Sequence, residues 1–241
     1  MARVYNFCAG PAVLPLEALQ EAQADLIDYK GSGMSVMEMS HRGKEYDAIH
    51  NEAIANVREL MGLTDDHAIL LLQGGASLQF AMLPMNFLGG DKVADYVNAG
   101  SWGAGAVKQA RLIGNVNIAA DCQKDIPTRM PSRDEMKWTP GAVYSHITTN
   151  ETISGAQLKE IPETGSPLVA DMSSDILSRP LDFNKFAMIY AGAQKNLGPS
   201  GLALVAIRKD FAAKGNITLP TMLRYQSHIE NNSLYNTPPC F

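Results

Sequence analysis

An α/β domain, with a mostly parallel central sheet and helices on both of its faces, is expected from three features of the chain. Short continuous apolar runs recur between residues 68 and 207, as in strands covered on both sides. Segments with apolar residues at helical spacing alternate with the earlier runs. Turns rich in glycine and asparagine follow several of them, so the loops after the strands should gather on one edge of the sheet and build a site there.

The elements follow in order. Asn6 to Pro15 is a turn-rich arm whose prolines and Gly10 prevent regular structure, and Pro15 suits a helix start. Leu16, Leu19, Ala22, Leu26 and Ile27 then recur at helical spacing until Gly31 and Gly33. A loop through Ser40-His41-Arg42-Gly43 leads into a long amphipathic helix from about Lys44, with Ile49, Ala53, Val57 and Leu60 on one face and Gly62 after it. Strands are expected at Ala68–Leu72, Lys92–Val97, Val116–Ala119, Ala142–Ile147, Pro167–Asp171, Met188–Tyr190 and Leu202–Ile207. Helices are expected after Ser77 and Trp102, with a short one around Asp134–Lys137 and a helical turn at Asp210–Lys214. Residues 218–241 show no clear period.

Composition narrows the function. The 241 residues suffice for one large α/β domain or two small ones, and 46% apolar with 19% charged residues is ordinary for a globular protein with a sizeable core. A net charge of −5 without a basic run argues against nucleic-acid and membrane-surface partners. No apolar run approaches the ~20 residues of a spanning helix. The first residues lack the plan of a signal peptide, so a cytoplasmic protein is expected. Cys8, Cys122 and Cys240 are odd in number and in no metal spacing, which suits free thiols in a reducing compartment and no metal site.

The chemistry centres on Lys195. No other charged residue lies between Lys185 and Arg208, and the lysine follows an apolar strand. Desolvation lowers the pKa of an ammonium so placed and yields a nucleophilic amine able to form a Schiff base. Alone it would read as an ordinary loop lysine. Asp171, at the end of another strand, changes that weighting. A lysine for an aldehyde and a carboxylate for a pyridinium nitrogen, sharing one crevice, suit pyridoxal phosphate chemistry. Gly74-Gly75-Ala76-Ser77 could present backbone amides to a phosphate, although tight strand–helix turns look alike. Trp102 could stack on an aromatic cofactor or fill the core. Thr152 could bond a ring substituent or form a turn, and His41-Arg42 could grip an anionic substrate or stand exposed before a helix. Ser173-Ser174 beside Asp171 would suit a hydrolase, but no Gly-x-Ser-x-Gly elbow exists.

Together these segments resemble one family. Asn6-Phe7, Gly10-Pro11-Ala12, Ser40-His41-Arg42, Asn98-Ala99-Gly100-Ser101-Trp102, Asn150-Glu151-Thr152-Ile153, Ala170-Asp171-Met172-Ser173-Ser174 and Tyr190 to Pro199 are similar, in matching order, to the phosphoserine aminotransferases. The resemblance implies a fold-type I pyridoxal phosphate enzyme interconverting 3-phosphohydroxypyruvate plus glutamate with O-phospho-L-serine plus 2-oxoglutarate. It implies Lys195 as the Schiff-base lysine, Asp171 as partner of the pyridine nitrogen, Trp102 as the stacking residue and Thr152 as partner of the phenolic oxygen. Ala76, Ser77 and Gln194 fall at phosphate positions. Asn236 and Thr237 match a pair lent to the neighbouring subunit's cofactor, which implies a homodimer, and His41 and Arg42 match residues for the substrate phosphate.

The resemblance further implies an N-terminal arm at 1–15, a cofactor-binding large domain at 16–241 and a small C-terminal domain beyond Phe241. That small domain would carry another His-Arg pair and the arginine for the α-carboxylate. The chain by itself is therefore expected to bind cofactor but to transaminate poorly or not at all. Ser77 departs from the family, which usually has arginine there. Alanine–glyoxylate or serine–pyruvate aminotransferases and cysteine desulfurases share the fold. His41-Arg42 favours a phosphorylated substrate, and no cysteine stands in a desulfurase context. A silent cofactor-binding or dimerisation module is the reading from another class.

Overall fold

The computed structural model describes residues 3–238. Seven strands form one sheet: β1 (His67–Gln73), β2 (Val93–Asn98), β3 (Asn115–Asp121), β4 (Ser145–Thr148), β5 (Leu168–Asp171), β6 (Met188–Gly192) and β7 (Leu202–Arg208). Their order is β1-β7-β6-β5-β4-β2-β3. β2 to β6 pair in parallel, whereas β7 is antiparallel to both β6 and β1. No crossover helix joins β6 to β7; residues 193–201 turn the chain straight back, and such a return can only give an antiparallel pair. Two reversals leave β1 running with β6, so the C-terminal ends of β1, β2, β5 and β6 share one edge.

Side chains alternate between the faces, as the pleat requires. Met188 and Tyr190 of β6 join one core with Phe80, Leu83 and Phe87 of α3 (Gly75–Phe87), Ala106 and Val107 of α4 (Ser101–Ala110), Phe211 of α5 (Lys209–Ala212) and Tyr225 of α6 (Tyr225–Glu230). Ile189 and Ala191 enter the other. There α2 (Lys44–Met61) contributes Met61, with Ile54 and Val57 packed alongside. Most of the remaining cover comes from Leu158, Ile176, Phe183 and Phe186, which lie in loops and a short 3₁₀ turn. Helices therefore lie on both faces, but the second is roofed largely by irregular chain.

Two elements differ from the sequence expectation. α6 arises within the stretch without a period, because its buried positions are Tyr225, Ser227 and His228 rather than an apolar stripe. Tyr225 Oη donates to Gln79 Oε1 at 2.7 Å, and the His228 ring nitrogen Nε2 lies 2.9 Å from Met222 O, so polar groups anchor it. The expected helix around Asp134–Lys137 is a 3₁₀ turn, Arg133–Glu135, closed by the reciprocal bonds of Ser132 and Glu135. α1 (Leu16–Ala24) begins after Pro15 as anticipated but buries none of its residues. Cys8 is exposed and Cys122 buried, both free thiols. Cys240 and Phe241 lie outside the described residues.

Candidate active site

The shared strand edge frames a cavity of about 410 Å³, within the range of small-molecule sites. Lys195 and Asp171 line it together, with Gln194, Trp102, Ala76 and Ser77. The residues Gly10 and Pro11 of the N-terminal arm close one side. The Ala12 amide donates to Gln194 O at 2.8 Å. Gly10 lies so close to the lysine stem that a Cβ there would stand 3.0 Å from Lys195 Cγ. Glycine is what permits that approach.

Lys195 Nζ donates to Thr152 Oγ1 at 2.5 Å and stands 4.5 Å from the centroid of the Trp102 ring. Desolvation holds its pKa below the ordinary lysine value, against the opposing charges of Asp171 and Glu151. Asp171 is only 4% exposed, and burial raises its carboxyl above the usual range. Ser173 opposes that rise: its amide and hydroxyl donate to Asp171 Oδ1 at 2.9 and 2.6 Å. The Gly192 amide in turn donates to Ser173 Oγ at 2.9 Å, locking the hydroxyl toward Asp171. Since both bonds fall on Oδ1, Oδ2 is left for a donor in the cavity.

The opposite wall is the start of α3. Gly74 and Gly75 take φ of 90° and 61°, a left-handed turn, and a Cβ on Gly74 would meet Leu78 at 2.6 Å. No side chain among the described residues caps the helix, so its first-turn amides and positive dipole end are available to an anion. Ser77 adds a hydroxyl beside them. The groups present thus suit a planar, anionic heterocycle: amides for the anion, Asp171 for a protonated ring nitrogen, the indole for a ring face and an amine between them.

Other residues anticipated from sequence lie elsewhere. His41 is partly buried with Nε2 unpaired, Arg42 is exposed, and neither lines the cavity. Asn236 and Thr237 are exposed beyond α6 and also stand outside it. Two residues escaped sequence reasoning as site residues. Ser173 was legible as a donor two positions after an aspartate, a spacing that favours such local bonds. Glu151 is 1% exposed and accepts the Trp102 and Gly103 amides at 3.0 and 2.8 Å. Its signal was the one that marked Lys195, a single charge in an uncharged run between Lys137 and Lys159.

Comparison with known proteins gives the family. The sequence profile of the aminotransferase class-V family matches residues 4–240. The chain belongs to that family. Among relatives of this chain, the phosphoserine aminotransferase of Niallia circulans is 55% identical over 240 residues, covering 99% of the chain and 66% of the relative. The solved phosphoserine aminotransferase from Bacillus circulans subsp. alkalophilus superposes with a TM-score of 0.94 at 54% identity, covering 98% of this chain and 66% of that one. The PLP-bound phosphoserine aminotransferase from Trichomonas vaginalis gives 0.93 at 40% identity, covering 98% and 67%. The chain thus spans about two thirds of the length of the relatives it matches.

Proposed function

We propose that this chain is the cofactor-binding part of a pyridoxal phosphate-dependent phosphoserine aminotransferase. The reaction exchanges the amino group between glutamate and 3-phosphohydroxypyruvate, giving 2-oxoglutarate and O-phospho-L-serine. One observation carries the reading: a desolvated amine and a buried carboxylate face one cavity, across which a helix N-terminus stands uncapped. The names and identities of the relatives support it.

Pyridoxal phosphate, when bound, supplies an aldehyde for the amino group and a ring that accepts the electron pair left by a departing α-proton. Asp171 Oδ2 would hold the proton of the ring nitrogen, and its burial strengthens that pairing. Ala76, Ser77 and Gln194 would hold the phosphate at the α3 N-terminus. Trp102 would cover one ring face and Thr152 Oγ1 would serve the phenolic oxygen. Lys195 Nζ would take the proton from the substrate α-carbon as a general base and, as an acid, deliver it to the carbon that had been the aldehyde's, for which a lowered amine pKa is suited. His41 and Arg42 would receive the substrate phosphate.

The reading includes the division into an arm at 1–15 and a large domain at 16–241, with a small domain beyond completing the substrate site. It also includes a homodimer, in which the exposed Asn236 and Thr237 reach the neighbouring cofactor. No helix among the described residues is long and apolar enough to cross a membrane. A cytoplasmic location is part of the proposal, supported by the free thiols of Cys8 and Cys122. Borohydride reduction of the chain with added pyridoxal phosphate, followed by peptide mapping, should place the label on Lys195. Label elsewhere, or none, overturns the cofactor assignment. In a version carrying the small domain, turnover should favour phosphohydroxypyruvate over pyruvate and glyoxylate, and the reverse preference overturns the substrate.

A further inference from the structure

Glu151 is buried and sits between the two groups that hold Lys195. Its carboxylate accepts the backbone amides of Trp102 and Gly103 in the first turn of α4, from a loop 49 residues further along the chain. The same loop presents Thr152 to Lys195 Nζ. That loop is stiff around the glutamate: the Glu151 amide donates to Ala156 O at 2.9 Å, and the Gly155 amide returns to Glu151 O at 2.8 Å. Leu158 N donates to Thr149 O at 2.7 Å. The space is fitted to the side chain, since a Cβ on Gly100 would lie 2.4 Å from Glu151 Cδ and one on Gly103 3.2 Å from Oε1. Gly100 has extended backbone with φ of 178°, so contact with Glu151 rather than strain excludes a side chain there.

We propose that Glu151 is a positioning residue: its carboxylate ties the Trp102 indole to the loop bearing Thr152, so that both partners of Lys195 Nζ are set as one unit. This rests on the functional reading of Lys195 but concerns a group that touches neither cofactor nor substrate. Its charge acts as well, because Asp171 on β5 and Glu151 after β4 are the carboxylates that raise the basicity of Lys195 among the described residues. Removing the charge should lower the pH at which the amine becomes reactive.

The test uses the chain without cofactor, in a Trp138→Phe background where Trp102 is the remaining tryptophan. Lys195 is labelled with acetic anhydride across a pH series and quantified by peptide mapping, while Trp102 is followed by emission and acrylamide quenching. Glu151→Gln should move the Lys195 labelling midpoint to lower pH, shift Trp102 emission to longer wavelength and increase its quenching. A folded Glu151→Gln chain with the parent midpoint and the parent emission would overturn the proposal. Should that variant fail to fold, Gly100→Ala displaces the carboxylate while leaving it in the chain. It should perturb Trp102 emission and Lys195 labelling together, and parent behaviour in both is the contrary result. Combined with Glu151→Ala, the Gly100→Ala change should have no further effect. Failure of the parent chain to trap pyridoxal phosphate on Lys195 would count against the functional reading alone, because the labelling needs no cofactor.

Discussion

α3 and α4 begin on the same edge of the sheet, each after a strand and a glycine turn, yet their positive ends are used differently. α4 is closed from within: Glu151, a buried carboxylate of the same chain, takes the Trp102 and Gly103 amides. α3 has no such cap, and its first turn lines the cavity. The two buried carboxylates repeat the contrast. Both oxygens of Glu151 are bonded to backbone amides, whereas Asp171 has Ser173 on Oδ1 and an oxygen to spare. An internal anion makes a helix start part of the scaffold, and an open start makes it a receptor. Lys195 lies between one wall of each kind.

Making α3 resemble α4 should have the largest effect. Ala76→Asp places an internal anion at the open end, where like charges about 4 Å apart repel by roughly 1–4 kcal/mol. Pyridoxal phosphate affinity, measured by absorbance titration, should fall about tenfold or more. The helix itself should gain about 0.3–1 kcal/mol in urea denaturation. The reverse change, Glu151→Ala, opens α4. Leaving buried amides without acceptors should cost about 1–3 kcal/mol of stability by the same measurement.

Asp171→Asn separates the two carboxylates by pH. The folded Asp171 pKa is raised above 3.8 by burial, so its favourable contribution is present below that value and is lost as pH rises through the folded one. The cofactor-free variant should therefore be more stable than the parent near neutrality, with the advantage vanishing in acid. Thermal midpoints across pH check this, and a uniform offset would refute it. The smallest effect is expected from Ser77→Arg, which supplies the residue usual in the family. Phosphate affinity should rise by about tenfold or less, and the gain should fade with added salt.

Much of the architecture was legible because burial leaves a local trace. Strands covered on both faces read as apolar runs, and Lys195 and Asp171 stood out where those runs ended. What failed left no such trace, or one that did not point to its partners. α6 turns polar side chains inward, so its period is hidden. Glu151 was passed over because its partners are amides a long way back in the chain, and no spacing rule connects them. The arm was recognised as turn-rich, but its seat against the Lys195 stem depends on a close approach at Gly10 that only packing reveals.

Residue order alone determined the strand–helix alternation, the isolated amine, the carboxylate at a strand end and the glycine turn, because each depends on neighbours within a few positions. Tertiary structure decided the rest. It reversed β7 so that the C-terminal end of β1 shares an edge with those of β2 to β6, set Lys195 between Thr152 and Trp102, and buried Glu151 against α4. Those outcomes depend on contacts between segments far apart in the chain, whose joint geometry exists only once the sheet has assembled.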